Sequence, residues 1–244
     1  MSRRAIVAGA TALAVGGLIS AGALATAHTG KSGASKVPER SYQITVENLT
    51  TGQSPVLGQP LSPPLIVAHN RRVDLWSRGR VASHVVAGIA EDANNGPAIE
   101  LANALRGAGP ALTGVDDGAT DPAPILPGAS QTYSVKVRGH RGRLTLLSML
   151  VNTNDAFTGL DSVRLPRRIG ASRSAYRVAY DAGSEKNNED AAYIPGPVGG
   201  NAFVRDPEGN VIRRHPGIAG GASLDPVAHS VSGKVAKITI TRVR

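Results

Sequence analysis

Three acidic side chains, Asp155, Asp181 and Glu185, fall in two short loops, Val151-Asn152-Thr153-Asn154-Asp155 and Tyr180-Asp181-Ala182-Gly183-Ser184-Glu185. Each loop follows a run of strand character. Carboxylates placed where strands give way to loops suit a hard divalent cation, which takes carboxylate, carbonyl and water oxygens and, when it is calcium, tolerates irregular geometry. On that reading Asp155, Asp181 and Glu185 are the charged ligands of one calcium ion. Asn154, Ser184 and the carbonyl of Val151 are candidates for the remaining positions. Gly183 allows a sharp turn between the second and third carboxylates, because glycine reaches backbone angles closed to other residues. The competing reading is that Asp, Asn, Gly and Ser are simply what loops are made of, and a short acidic motif is a weak signal by itself.

These loops need strands to hold them. Leu144 to Val151 reads as a central strand, apolar on both faces apart from Thr145 and Ser148, and it delivers Asn154 and Asp155 to the loop at its end. Tyr176 to Tyr180 reads as the strand that delivers Asp181 and Glu185. Phe157, Leu160 and Val163 are expected to tuck the first loop against the core. Tyr42 to Asn48 alternates apolar and polar, as does Thr132 to Val137, which marks half-buried strands. Leu65 to His69 is a short apolar run suited to burial on both faces. Val235 to Thr241 closes the chain with Ala236, Ile238 and Ile240 on one side.

Helices are confined to one insertion. Ser83 is placed to cap a helix through Val86, Ile89 and Glu91, and Asn95-Gly96-Pro97 starts a second that Gly107 and Gly109 stop. The pair is expected to cap one end of a sheet. The Pro, Gly and Asp content of residues 107–128 marks a long loop that Asp116, Asp117 and Asp121 keep solvated. Residues 196–220 are also loop-like. Many short strands separated by turn signals predict an all-β antiparallel sandwich with a short helical insertion.

The chain has 244 residues, and residues 1–27 read as an export signal: Ser2-Arg3-Arg4, an apolar run from Ala5 to Leu24, then the small-residue site Ala25-Thr26-Ala27. Arg3-Arg4 before Ala5-Ile6-Val7 resembles a twin-arginine signal. Cleavage there would leave no transmembrane segment and place the protein outside the cell or in the cell envelope. Residues 28–41, rich in Gly, Ser and Lys, read as a flexible tether, and residues 42–243 as one domain. The chain has no cysteine, so an exported domain of this size relies on core burial and on any bound metal, without disulfides. The net charge of +9 attracts polyanions, yet aromatic residues make up only 3%, too few for base stacking, which argues against nucleic acid.

Taken in order, Ser62-Pro63-Pro64-Leu65-Ile66-Val67-Ala68-His69, Asp74-Leu75-Trp76, Val81-Ala82-Ser83, Asn154-Asp155-Ala156-Phe157-Thr158-Gly159-Leu160, Tyr180 to Glu185, Leu224-Asp225-Pro226 and the closing strand resemble the spondin N-terminal domain. The resemblance implies an eight-stranded antiparallel β-sandwich, similar to calcium-dependent lipid-binding domains, with one calcium ion at the end of the sheets. The family's Ser-Pro-Asp-Trp loop falls on Thr153 to Phe157 and puts its aspartate on Asp155. Its Asp-Ala-Gly-Thr-Asp motif falls on Asp181 to Glu185, with Glu185 replacing an aspartate. Animal members carry an acidic residue where Lys136 aligns, which leaves this site one carboxylate short, and they use cysteines that are absent here.

Three functions stay open on the sequence. The first is a secreted calcium-binding module for adhesion or another extracellular interaction, with a protein or glycan partner. The second is a polyanion or membrane-surface binder working through Arg138, Arg141 and Arg143, or Arg164, Arg167 and Arg168. The third is a hydrolase built on His69 or His84. No nucleophile elbow or zinc-type His-Glu spacing accompanies those histidines, so the chain is not read as an enzyme. His140, His215 and His229 are expected to be exposed.

Overall fold

The computed structural model describes residues 37–113 and 123–244. They form ten strands in two antiparallel sheets, with two helices. One sheet joins β4 (Ser130–Arg138), β1 (Glu39–Asn48), β10 (Ala236–Arg242) and β7 (Ser172–Arg177), in that order. The other runs β3 (Leu112–Thr113), β2 (Leu65–His69), β5 (Arg143–Met149), β6 (Ala156–Arg164), β8 (Tyr180–Asp181) and β9 (Arg213–Arg214). The all-β sandwich expected from the sequence is therefore present. It has ten strands where eight were implied, and β3, β8 and β9 are only two residues long.

The four-stranded sheet follows the alternation of its sequence. Tyr42, Ile44 and Val46 of β1, Tyr133, Val135 and Val137 of β4, and Ile238 and Ile240 of β10 all face inward and are buried. They meet Ile66, Ala68, Leu144, Leu146 and Leu160 of the other sheet in one core. The six-stranded sheet is covered on its outer face as well. α1 (His84–Asp92) and α2 (Gly96–Ala104) pack Val85, Val86, Ile89, Ala98 and Ala102 against Leu65, Val67, Leu147 and Phe157. This second core explains why β2 and β5 are apolar on successive residues. It also corrects the expectation that the helices cap a sheet end: they lie across its face.

Other boundaries differ for physical reasons. β1 begins at Glu39, inside the expected tether, because Glu39 and Arg40 continue the ladder to Arg138 and Val137. Residues 156–164, expected to tuck a loop against the core, form the full strand β6. The expected strand Tyr176 to Tyr180 is divided: β7 belongs to one sheet and β8 to the other, so the chain crosses between sheets at Val178-Ala179. Ser83 occupies the N-cap position of α1 without a side-chain cap bond. The helix ends at Ala93, which takes the left-handed conformation (φ 54°) and returns its N–H to Ile89. The signal, most of the tether, and Asp116, Asp117 and Asp121 lie outside the described residues. Among the described residues no helix is long and apolar enough to cross a membrane.

Gly159 sits where β6 passes β5, and a methyl group there would collide with the Leu146 carbonyl oxygen. Backbone cannot swing aside as a flexible side chain can, so Gly159→Ala should lower the thermal midpoint by many degrees or abolish soluble expression. Gly142→Ala, whose added carbon meets open space, should leave it nearly unchanged. Equal midpoints for the two variants in thermal unfolding would contradict this β5–β6 register.

Candidate functional site

The β5–β6 connection is a closed loop built from its own polar groups. Leu150 N–H donates to the Ala156 carbonyl at 2.8 Å, Thr153 Oγ1 donates to the Leu150 carbonyl at 2.6 Å, and Ala156 N–H donates back to Thr153 Oγ1 at 3.0 Å. Asn152 anchors it from the side through Nδ2, which donates to the Pro55 and Gly58 carbonyls at 2.7 and 2.8 Å. Beneath the loop, Phe157 pairs with Tyr180 across β6 and β8, and the Trp76 ring meets both edge-on with centroids 5.0 and 5.1 Å away. This aromatic trio fixes the height of both acidic loops above the sheet.

Asp155 closes one loop on the other. Its Oδ2 accepts from Ser184 N–H at 2.8 Å, Glu185 N–H at 3.0 Å and Ser184 Oγ at 3.2 Å, while its carbonyl accepts from Ala182 N–H. The turn that presents those donors requires Gly183, with φ at +72° and its missing side chain facing the Asn210 backbone, 2.7 Å from where a Cβ would stand. The glycine reasoning from the sequence therefore holds, and the two loops do converge.

The three carboxylates are unequal. Asp181 is saturated: Oδ1 accepts from Gly183 N–H at 2.7 Å, and Oδ2 accepts from Asn187 Nδ2 at 2.7 Å and Arg213 Nε at 3.1 Å. Asp155 Oδ1 and Glu185 Oε2, by contrast, are buried with no hydrogen-bond partner. Glu185 Oε1 accepts only from Asp206 N–H at 3.3 Å and lies 3.7 Å from Arg205 Nε. Arg205 is itself committed to Glu91 and Asp92 at the end of α1. Burial pushes the Asp155 carboxyl up to about 7, with the Asp181 charge adding to the rise against three opposing donors. Burial also pushes Glu185 up to about 8, with Glu91 and Asp155 adding to it. Buried carboxylates with a free oxygen must bind either a proton or a cation, since an isolated buried charge is too costly.

Asp155 and Glu185 thus each keep one buried carboxylate oxygen without a donor, whereas both oxygens of Asp181 are taken, one of them by Arg213. Among the described residues no group of three or more His, Cys, Asp or Glu is arranged to hold a metal ion. The auxiliary candidates are also occupied. Asn154 donates from Nδ2 to Asn188 Oδ1 at 3.0 Å and accepts Glu189 N–H, and Ser184 is spent on Asp155. The Val151 carbonyl faces Gly196, 2.5 Å from where a Cβ on that glycine would stand. Lys136 is exposed on the outer face of β4.

Sequence reasoning missed Glu91, Asp92, Arg205 and Arg213, which come from α1 and the 196–220 stretch. No local spacing links those segments to residue 155 or 185. The histidine expectations divide. His69 is a satisfied core residue, with Nε2 2.8 Å from Thr145 Oγ1 and Nδ1 2.7 Å from the Asn70 carbonyl. His84 and His140 are exposed, whereas His215 and His229 are buried, at 7% and 3% exposure, against the expectation that both lie in open loops. Burial holds the His215 imidazole down near 4.

At the other end of the sandwich, Arg143, Arg164 and Arg167 of the predicted polyanion set line a common cleft. Arg138 instead pairs with Glu39 at 2.7 Å, Arg141 turns back to the Arg138 carbonyl at 2.8 Å, and Arg168 lies exposed outside the cleft. Compared with known families and with curated proteins, the sequence matches none.

The raised pKa values carry a definite sign. Between the ordinary carboxylate value and about 8, folded Glu185 keeps a proton that the unfolded chain has lost, so in chelator stability should fall as pH rises across that range. His215 acts in the opposite sense, since its folded pKa is depressed and stability is lost as pH falls below the ordinary histidine value. Comparing wild type with Glu185→Gln removes the histidine contribution. Unfolding midpoints in chelator should converge toward acid pH and separate toward pH 8, the wild type becoming the less stable; parallel profiles would show that Glu185 is not a buried, proton-holding carboxyl.

Proposed function

We propose that this chain is an exported, spondin-like β-sandwich binding module. In this reading one divalent cation, calcium by its preference for flexible oxygen coordination, joins its two acidic loops into a rigid surface for an extracellular protein or glycan. The observation that carries the reading is the pair of buried, partnerless carboxylate oxygens, Asp155 Oδ1 and Glu185 Oε2, on two loops already clasped by hydrogen bonds. Asp155 and Glu185 are the residues that would hold the ion. Asp181 acts from one step away, keeping the Gly183 turn in shape and positioning Arg213. When bound, the ion supplies the positive charge that two neighbouring buried carboxylates lack.

The order of the clasp gives the surface its rigidity. Asp155 orients the Ser184 and Glu185 backbone, Asn154 orients Asn188 and Glu189, and Glu189 accepts from Ala219 and Gly220 N–H at 2.6 and 2.7 Å. Three loops are thereby tied in series to the adjacent pair Asn154 and Asp155. Pre-ordered loops bind a partner without the entropy cost of freezing them on contact.

Thermal unfolding at pH 8 with calcium, magnesium or chelator tests the reading. A ligand that binds only the native state stabilises it by mass action, by about 2.7 kcal/mol at a hundredfold excess over Kd. Calcium should raise the midpoint by several degrees over chelator, and more than magnesium does. Asp155→Asn and Glu185→Gln should each remove the response while remaining folded. A wild-type midpoint indifferent to calcium at pH 8 would end the proposal.

A further inference from the structure

A cleft of about 1030 Å3 lies at the end of the sandwich away from the acidic loops. β6 runs from Ala156, beside Asp155, to Arg164 on the cleft wall, a span of roughly 30 Å at strand rise. Eight arginines line this cavity. Arg71 and Arg72 come from the turn after β2, Arg143 from the start of β5, and Arg164 and Arg167 from the end of β6 and the turn beyond it. Arg40, Arg173 and Arg242 are added by β1, β7 and β10 of the other sheet. The two sheets therefore contribute to one basic wall, although these residues are scattered over two hundred positions of sequence.

None of the eight forms an ion pair among the described residues. The one acid in the lining, Glu39, is taken by Arg138. Three of the guanidiniums are aimed by backbone acceptors: Arg40 by the Gly139 and Arg141 carbonyls at 2.8 and 2.6 Å, Arg143 by the Ser162 carbonyl at 2.5 Å, and Arg242 by the Arg167 carbonyl and, through Nε, by the Arg244 main-chain oxygen at 3.0 Å. Arg71, Arg72, Arg164, Arg167 and Arg173 are exposed and make no side-chain hydrogen bond within the described residues. Eight like charges lining one cleft raise the local positive potential and draw anions to it.

The lining chemistry narrows the anion. It contains no Phe, Tyr or Trp, and His140 is its one aromatic ring, so it offers little platform for a run of stacked bases or a sugar face. Guanidinium forks match tetrahedral phosphate oxygens in bidentate pairs. The volume sits at the upper end of small-molecule sites, which run to about 1,000 Å3, and is too large for a single phosphate. We propose that this cleft binds a compact anion bearing two or more phosphate groups, either a soluble polyphosphate ester or the headgroup of an anionic phospholipid. The site is independent of the calcium reading, since it shares no residue with the acidic loops.

Isothermal titration of the purified protein with tripolyphosphate tests it, using Arg71→Gln/Arg173→Gln as the cleft variant and Arg138→Gln as the charge control outside the cleft. Both cleft positions are exposed and free of side-chain hydrogen bonds, so folding should be retained, which circular dichroism checks. Tripolyphosphate should bind one to one, more weakly as salt rises, and at least about tenfold more weakly to the double variant, since two charge-assisted contacts are lost. Arg138→Gln should match wild type. Vesicles of equal parts cardiolipin, whose headgroup carries two phosphates, and phosphatidylcholine, against phosphatidylcholine alone, separate the sources. Tripolyphosphate-sensitive binding of wild type but not the double variant to the anionic vesicles assigns a lipid headgroup; tripolyphosphate binding without it assigns a soluble ligand. Absence of tripolyphosphate binding, equal loss in Arg138→Gln, or tighter binding of a sulfated heparin oligosaccharide than of tripolyphosphate would each overturn the phosphate assignment.

Discussion

The central strands β2 and β5 are covered on both faces, and the rest of the molecule follows from that. Leu65 and Val67 look toward the helices while Ile66 and Ala68 look toward the other sheet, and Leu147 and Leu146 divide in the same way on β5. A sheet so enclosed can place polar chemistry only at its ends. The few polar side chains inside it are satisfied internally. Thr145 Oγ1 meets His69 and also accepts Ser162 N–H at 3.1 Å, where the β5–β6 ladder slips between Leu144 and Leu146. That hydroxyl takes up a backbone donor that the irregular register leaves without a ladder partner.

Because β5 and β6 form a hairpin, the same pair of strands delivers opposite chemistry to opposite ends. Arg143 and Arg164 are cross-strand partners at one end, and the Asn152 to Asp155 loop joins the strands at the other. Two arginines directly opposite each other on antiparallel strands repel, and like-charge pairs of this kind destabilise a sheet. Arg143 is turned aside by the Ser162 carbonyl, which separates the two charges and aims one of them into the cleft. The acidic end uses the reverse arrangement, with Arg205 and Arg213 brought in from a distant segment to face Glu91, Asp92, Asp181 and Glu185.

The sequence made the sandwich legible because periodicity survives wherever a strand has one wet face. β1, β4 and β10 alternate and are legible to within one to three residues at their ends, and the uninterrupted apolar run of β2 signals burial on both sides. β6 was missed because its first half, Ala156 to Leu160, is wholly buried and includes Thr158 and Gly159, neither of which looks like core. Gly159 is there for close approach to Leu146, a reason invisible without the partner strand. The convergence of Asp155 with the Ser184-Glu185 turn was readable from two motifs at strand ends. The capture of Asp181 by Arg213 was not, and neither was the gathering of arginines from both sheets, since each depends on segments that meet only after folding.

The acidic end remains short of positive charge even with every arginine in place. Arg205 serves Glu91 and Asp92 first and stands 3.7 Å from Glu185, while Arg213 divides itself between Asp181 and Glu208. Among the described residues Asp155 forms no ion pair; its Oδ2 rests on two amide N–H groups and a hydroxyl, and its Oδ1 has no donor. Amide dipoles favour the charged carboxylate, and burial beside Asp181 outweighs them. Burial thus raises both Asp155 and Glu185 toward the protonated form, and the loop pair has two ways of cancelling charge. Protons cancel it one group at a time and leave the loops joined only by their hydrogen bonds. A divalent ion cancels both charges at once and adds attraction where two like charges otherwise stand, which is why the clasp, rather than the sheet beneath it, is the part of the fold that ligand binding would tighten.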